Sequence, residues 1–175
     1  LTFAPALYDK LSFDVLRDFG PVTQLAGSEV AYVVSSALPV NGFAEFVAYA
    51  KQKPGAVSYA TTGNAGLPYV ASLIVNQRTG MNLNFVSYKG VPQALNDLMG
   101  GSVQLFIDTL PGVVAHVKTG KLKVLTTLGA KRAPVLPDVP TIAEAGVPEA
   151  TGQSWNAMGT RSGTPAEVIR KVNTD

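Results

Sequence analysis

An α/β fold built on a parallel sheet is what this sequence predicts, and three observations predict it. Between residues 56 and 128, short runs rich in β-branched and aromatic residues alternate with helical stretches three times. The helical stretches are punctuated by Pro at their starts and Gly at their ends. The 175 residues are 46% hydrophobic and only 15% charged, against roughly 25% charged in an average soluble domain. That balance suits one packed domain or two small lobes and rules out a disordered tail.

Residues 1–20 mix Pro5, Tyr8, Phe13 and Phe19 with charges and read as irregular. Strands are expected at 21–26 and 30–35. Helical spacing of Phe43, Phe46, Val47 and Ala50 gives a helix over 43–53, ended by Pro54-Gly55. The alternating units follow. Strand 56–60 leads through turn 61–66 into helix 67–79, closed by Gly80. Strand 83–88 and turn 89–91 lead into helix 92–99, closed by Gly100-Gly101. Strand 103–108 meets helix 110–119 with Thr109 as its N-cap and Gly120 at its end, and strand 122–128 completes the series. Helices of this length between strands imply right-handed crossovers.

Beyond residue 130 the texture changes. Three prolines between 131 and 140 read as an extended linker. Thr141 and Glu144 form a capping box for a short helix stopped by Gly146. Residues 151–160, around Trp155, fit a strand, and Thr164, Pro165 and Glu167 form a second capping box for a terminal helix. The expected organisation is one lobe over 41–123, with an incomplete second lobe and hinge crossings drawn from 1–40 and 124–175. That helix runs to residue 175 without a stop signal and the chain opens without a leader pattern. It therefore reads as a fragment, or a mature protein cut at both ends.

Composition narrows the function. A net charge of +2 makes no phosphate-binding surface, so nucleic acid is a poor fit. No apolar run reaches the roughly 18 residues of a membrane span. With no cysteine, disulfides, zinc fingers and thiol catalysis are excluded. One histidine, no His-Glu-x-x-His, no Gly-x-Ser-x-Gly and no carboxylate cluster leave catalysis and metal binding without a motif.

In an open parallel sheet, ligands bind beyond the carboxyl ends of the strands. Here those ends are Thr61-Thr62-Gly63-Asn64, Tyr88-Lys89-Gly90 and Asp108-Thr109, each just before a helix start. Free N–H groups and positive dipole ends converging on one edge favour an anion. Hydroxyls of Thr61 and Thr62 can donate to a carboxylate, and Gly63 admits a close backbone approach. Blander readings stand beside these. The turn 61–66 lacks the Gly-Lys-Ser/Thr of a phosphate loop. Lys89 is either a solvated charge or a clamp. Asp108 is either an acceptor for the next helix or a partner for a ligand hydroxyl or amine. His116 reads as a surface residue, and Tyr69 and Trp155 as packing residues or ligand platforms.

Several stretches, in order along nearly the whole chain, carry a family resemblance. They are Asp18-Phe19-Gly20-Pro21-Val22-Thr23; Lys53-Pro54-Gly55 with Tyr59-Ala60-Thr61-Thr62-Gly63-Asn64; Val86-Ser87-Tyr88-Lys89-Gly90; and Leu98-Met99-Gly100-Gly101 with Phe106-Ile107-Asp108. Then follow Gly120-Lys121-Leu122, Lys131-Arg132, Leu136-Pro137-Asp138-Val139-Pro140-Thr141 with Glu144-Ala145-Gly146, Ser154-Trp155 and Gly163-Thr164-Pro165. The set resembles the tripartite tricarboxylate receptor family, the Bug-type extracytoplasmic solute-binding proteins.

The resemblance implies a two-lobed periplasmic binding-protein fold of type II, with one lobe complete here and the other partial. It implies a small carboxylate ligand (a di- or tricarboxylate, an amino acid or an aromatic acid) delivered to a membrane permease of one large and one small subunit, or read by a sensor kinase. It implies no enzymatic activity and no cofactor. The family's carboxylate-holding turns fall on Thr61, Thr62, Gly63 and Asn64 and on Tyr88, Lys89 and Gly90, and its strand-end Asp on Asp108. Ala65, Tyr69 and Ser87 depart from the family's usual Gly, His and Pro, which leaves the ligand's identity open. The alternative is an α/β enzyme acting on a small anionic substrate, with catalytic residues outside this stretch.

Overall fold

The computed structural model describes residues 3–174; Leu1, Thr2 and Asp175 lie outside the described residues. The chain divides into two compact units, one formed by residues up to Gly27 together with those from Trp155, the other by Ser28–Ser154. The larger unit is wider than the expected 41–123 lobe. The strand at 30–35 and the segment 124–154 pack into the same sheet and core, so they cannot be separated from it.

The smaller unit holds two one-turn helices, α1 (Ala4–Leu7) and α2 (Val15–Asp18), where irregular chain was expected. Asp14 makes α2 possible: one carboxylate oxygen accepts from the N–H groups of Leu16 and Arg17, both at 2.9 Å. Strands β1 (Phe19–Ser28) and β7 (Ser154–Arg161) pair with each other, and α7 (Ala166–Thr174) follows. Thr164 does not act as sketched from the sequence; its hydroxyl donates to the Arg161 carbonyl at 2.8 Å.

The larger unit is a five-stranded sheet between helices. Its strands are β2 (Val30–Ser35), β3 (Ser58–Thr61), β4 (Asn84–Ser87), β5 (Leu105–Thr109) and β6 (Leu122–Thr127), in the order β4-β3-β5-β2-β6. Strand β3 is parallel to β4 and β5, while β2 is antiparallel to both β5 and β6. Strands β3, β4, β5 and β6 therefore share one direction, as the alternating units predict, and β2, expected outside that lobe, joins their sheet antiparallel. No crossover helix precedes β2 inside this unit, so nothing forces it to run with the others. It lies between β5 and β6 and is buried at every position.

Alternation along β2 fixes the two faces of the sheet. Val30, Tyr32 and Val34 join Tyr59, Leu105 and Ile107 under α3 (Phe43–Gln52) and α4 (Leu67–Thr79), which contribute Phe43, Phe46, Ala50, Ala71 and Val75. Ala31, Val33, Ala60 and Phe106 face α5 (Val91–Gly100) and α6 (Leu110–Lys118), which contribute Ala94, Leu95, Leu98, Leu110 and Val113. Gly80 and Gly101 end α4 and α5 in the left-handed region, at φ 69° and 80°, where a side chain would be strained. The capping box at Thr141 is present: Thr141 N–H donates to Glu144 at 2.7 Å, and Glu144 N–H donates to the Thr141 hydroxyl at 3.2 Å. It closes a turn rather than the expected helix, because Gly146 (φ 93°) and Pro148 follow at once.

Two phenols lie inside the first core. Burial pushes the Tyr59 hydroxyl up to about 12 and the Tyr32 hydroxyl well above its ordinary range. The folded state therefore keeps these protons at pH values where the unfolded chain, near 10, has lost them. Stability is expected to be insensitive to them below about pH 10 and to fall as pH rises from about 10 through about 12, by on the order of 2–3 kcal/mol for Tyr59. Urea midpoints measured from pH 8 to 12 check this; a flat profile would contradict it.

Candidate functional site

Strand direction assembles the site. Thr61 pairs with Ser87, the Tyr88 N–H donates to the Thr61 carbonyl at 2.8 Å, and Ala60 pairs with Phe106, two residues before Asp108. The turn Thr61–Asn64, the turn Tyr88–Gly90 and Asp108 therefore lie along one edge of the sheet. The sequence-predicted residues come together as a rim, but their side chains do different things.

Thr61 is buried, and its hydroxyl is spent on its own turn, donating to the Gly63 carbonyl and accepting from the Gly63 N–H at 3.3 Å. Thr62, Gly63 and Asn64 are exposed at the tip. A Cβ on Gly63 would meet nothing within 4 Å, so local packing does not demand glycine there. The Tyr88 phenol donates to Asp97 at 2.7 Å, tying the strand end to α5; burial first, and the Asp97 bond second, raise its pKa. Lys89 is exposed, and none of the ion pairs among the described residues includes it. Tyr69 packs edge-on against Phe85 at 5.7 Å, the packing reading of that residue.

The Asp108 side chain is engaged with the residue that follows it. Its carboxylate accepts from the Thr109 N–H at 2.7 Å, at the start of α6. Burial pushes its pKa up, and the bonds from Thr109 pull it partly back. Its Oδ2 lies 3.1 Å from the point a Cβ on Gly112 would occupy, so glycine in the first turn of α6 lets the helix sit close over the carboxylate.

The three helix starts now separate. Each has Pro in its first turn and no side-chain cap on its N-cap residue: Gly66 for α4, Gly90 for α5 and Thr109 for α6. At α6 the Asp108 carboxylate already faces the N-terminus. At α4 and α5 the N-cap is glycine, which offers the first-turn N–H groups no side-chain acceptor. Both glycines are extended, with φ of −112° and −172°. Gly66 and Gly112 were missed in the sequence. The signal for Gly66 is the shared Gly-apolar-Pro pattern of Gly66-Leu67-Pro68 and Gly90-Val91-Pro92. Such a rim can hold a small anion by main-chain donors. Among the described residues no group of three or more His, Cys, Asp or Glu is placed to hold a metal ion. No helix among them is long and apolar enough to cross a membrane.

The family model described as "Tripartite tricarboxylate transporter family receptor" matches residues 1–175. The chain belongs to this receptor family. A UPF0065 protein of Bordetella bronchiseptica is 35% identical over 99% of this chain and 51% of its own length. Among solved structures, an R. palustris protein with adipate, Rpa4515, superposes with a TM-score of 0.88 at 34% identity, covering 96% of this chain and 56% of that one. The periplasmic binding protein BugD superposes with a TM-score of 0.88 at 28% identity, covering 97% and 57%. The fold is thus the mixed α/β fold of periplasmic solute-binding proteins, and the chain spans about half the length of the curated family relatives it matches.

Proposed function

We propose that this chain is part of a periplasmic receptor that captures a small carboxylate and presents it to the permease of a tripartite tricarboxylate transporter, or to a sensor kinase. The observation that carries the reading is the pair of glycine-capped helix starts, α4 and α5, on the rim that also bears Thr62, Gly63, Asn64, Lys89 and Gly90. Main-chain N–H groups and the positive helix ends hold the solute's carboxylate, and Lys89 adds a positive charge at the edge. Thr61, Tyr88 and Asp108 shape the rim through the Gly63, Asp97 and Thr109 bonds rather than by direct contact. The adipate in the R. palustris structure and the family of the chain support capture over bond-breaking chemistry. In this reading the larger unit, Ser28–Ser154, is the second lobe, in place of the 41–123 read from the strand–helix pattern.

Binding to the folded state alone stabilises it by about 2.7 kcal/mol at a hundredfold excess over the dissociation constant. A thermal-shift panel of mono-, di- and tricarboxylates on the full-length protein is expected to give at least one clear rise in melting temperature. A panel with no response to any acid would overturn the reading.

A further inference from the structure

Among the buried side-chain polar atoms of the described residues that have no hydrogen-bond partner, two belong to paired strand segments: Glu29 Oε2 and Thr127 Oγ1. Ala31 pairs with Thr127, and the ladder continues outward with the Leu128 N–H donating to the Val30 carbonyl at 2.8 Å. Glu29 therefore stands opposite Gly129 and diagonal to Thr127 on one face, a cross-strand separation that a long side chain spans. The Glu29 carboxyl carbon and the Lys131 carbonyl oxygen each lie 3.0 Å from the point a Cβ on Gly129 would occupy. Glycine there leaves room for the Glu29 carboxylate beside the Lys131 carbonyl, and the buried Thr127 stands on the same strand face two residues earlier.

All three contribute oxygen, and two of them can only accept. A carboxylate oxygen shut away from water with no donor is costly. The ion pairs among the described residues, Arg17–Asp18, Arg78–Glu149 and Arg132–Glu144, leave Glu29 unserved. No lysine or arginine among the described residues comes within ion-pair distance of the Glu29 carboxylate. A lone carboxylate matches one unit of charge. Three oxygen acceptors match either the three N–H donors of an ammonium group or part of the oxygen shell of an alkali ion.

We propose that Glu29, Thr127 and the Lys131 carbonyl form a site for a small monovalent cation. The start of β2 and the end of β6 lie on the same sheet edge as the carboxylate rim, and the Leu110 N–H at the head of α6 donates to the Glu29 carbonyl at 2.7 Å. The cation is either a free alkali ion or the protonated amine of the solute itself; the second source rests on the carboxylate-receptor reading.

Two arms on the full-length protein separate the sources. The first records melting temperature against sodium, potassium and N-methylglucamine chlorides at fixed ionic strength, without solute. The second compares aspartate with succinate and glutamate with glutarate, pairs that differ only in the amine. Each is repeated with Glu29→Gln and with Gly129→Ala, which keeps the carboxylate but fills the space before it; circular dichroism confirms that both variants fold. The expected result is that sodium or potassium stabilises beyond N-methylglucamine, or that the amino acid outdoes its partner at least tenfold, with the preference lost in both variants. A preference that survives in the variants, or no preference in either arm, would overturn the cation site. Equal responses to the members of each acid pair would leave the carboxylate rim standing, whereas silence toward every acid tells against the rim itself.

Discussion

Gly90→Asp is expected to cut the affinity for a carboxylate solute at least tenfold while leaving the fold as stable as before or slightly more so. The two effects have separate causes. Gly90 is the N-cap of α5 with an extended φ of −172°, which any residue adopts, and a Cβ there would stand 3.7 Å from Pro92 Cδ, an ordinary contact. Aspartate is a better N-cap than glycine by a few tenths of a kcal/mol. Pro92 has no N–H, so the new carboxylate would take the Gln93 N–H, one of the donors the proposed site offers to a solute. It also places a negative charge on the rim proposed to hold the solute's carboxylate; a tenfold loss corresponds to about 1.4 kcal/mol. Calorimetric titration beside a thermal melt reads both quantities. Unchanged affinity with a raised melting temperature would show that α5 does not touch the solute. Gly66→Asp makes the same comparison at α4.

A second large effect is expected in the core. Phe106 is fully buried in β5, pairing with Ala60 of β3 and with Val33 of β2. Its neighbours across the sheet are smaller than it is, and Leu98 and Val113 of the covering helices belong to the same core face. None of these can swing in to refill the space, so Phe106→Ala should cost about 3–5 kcal/mol. Urea unfolding followed by circular dichroism measures this. A loss below about 1 kcal/mol would mean that the face of the sheet under α5 and α6 is loosely packed.

Much of the larger unit is legible in local sequence because its boundaries rest on local chemistry. Pro in the first turn and Gly after the last set the limits of α4 and α5 within a residue of expectation, since both act on the backbone of their own helix. The place of β2 is not written that way. Its partners come from distant parts of the chain, and only its unbroken burial, Val30 to Ser35, marks it as an interior strand. The rim is legible to the extent that it follows from strand ends. The division of labour along it is not: whether Asp108 faces a ligand or the Thr109 N–H depends on the close approach of Gly112. Glu29 drew no attention in the sequence, because a lone acid before a strand reads as solvated until Gly129 is seen opposite it.

The central strand also imposes a schedule on the nascent molecule. Tyr32 meets Ile107 and Thr126, partners that emerge from the ribosome about 75 and 95 residues later. Until they arrive, a largely apolar ribbon waits with both hydrogen-bonding edges bare, the kind of segment that holding chaperones shield and that aggregates when unguarded. Assembly of this sheet is therefore a late event, completed only once nearly three-quarters of these residues have been synthesised.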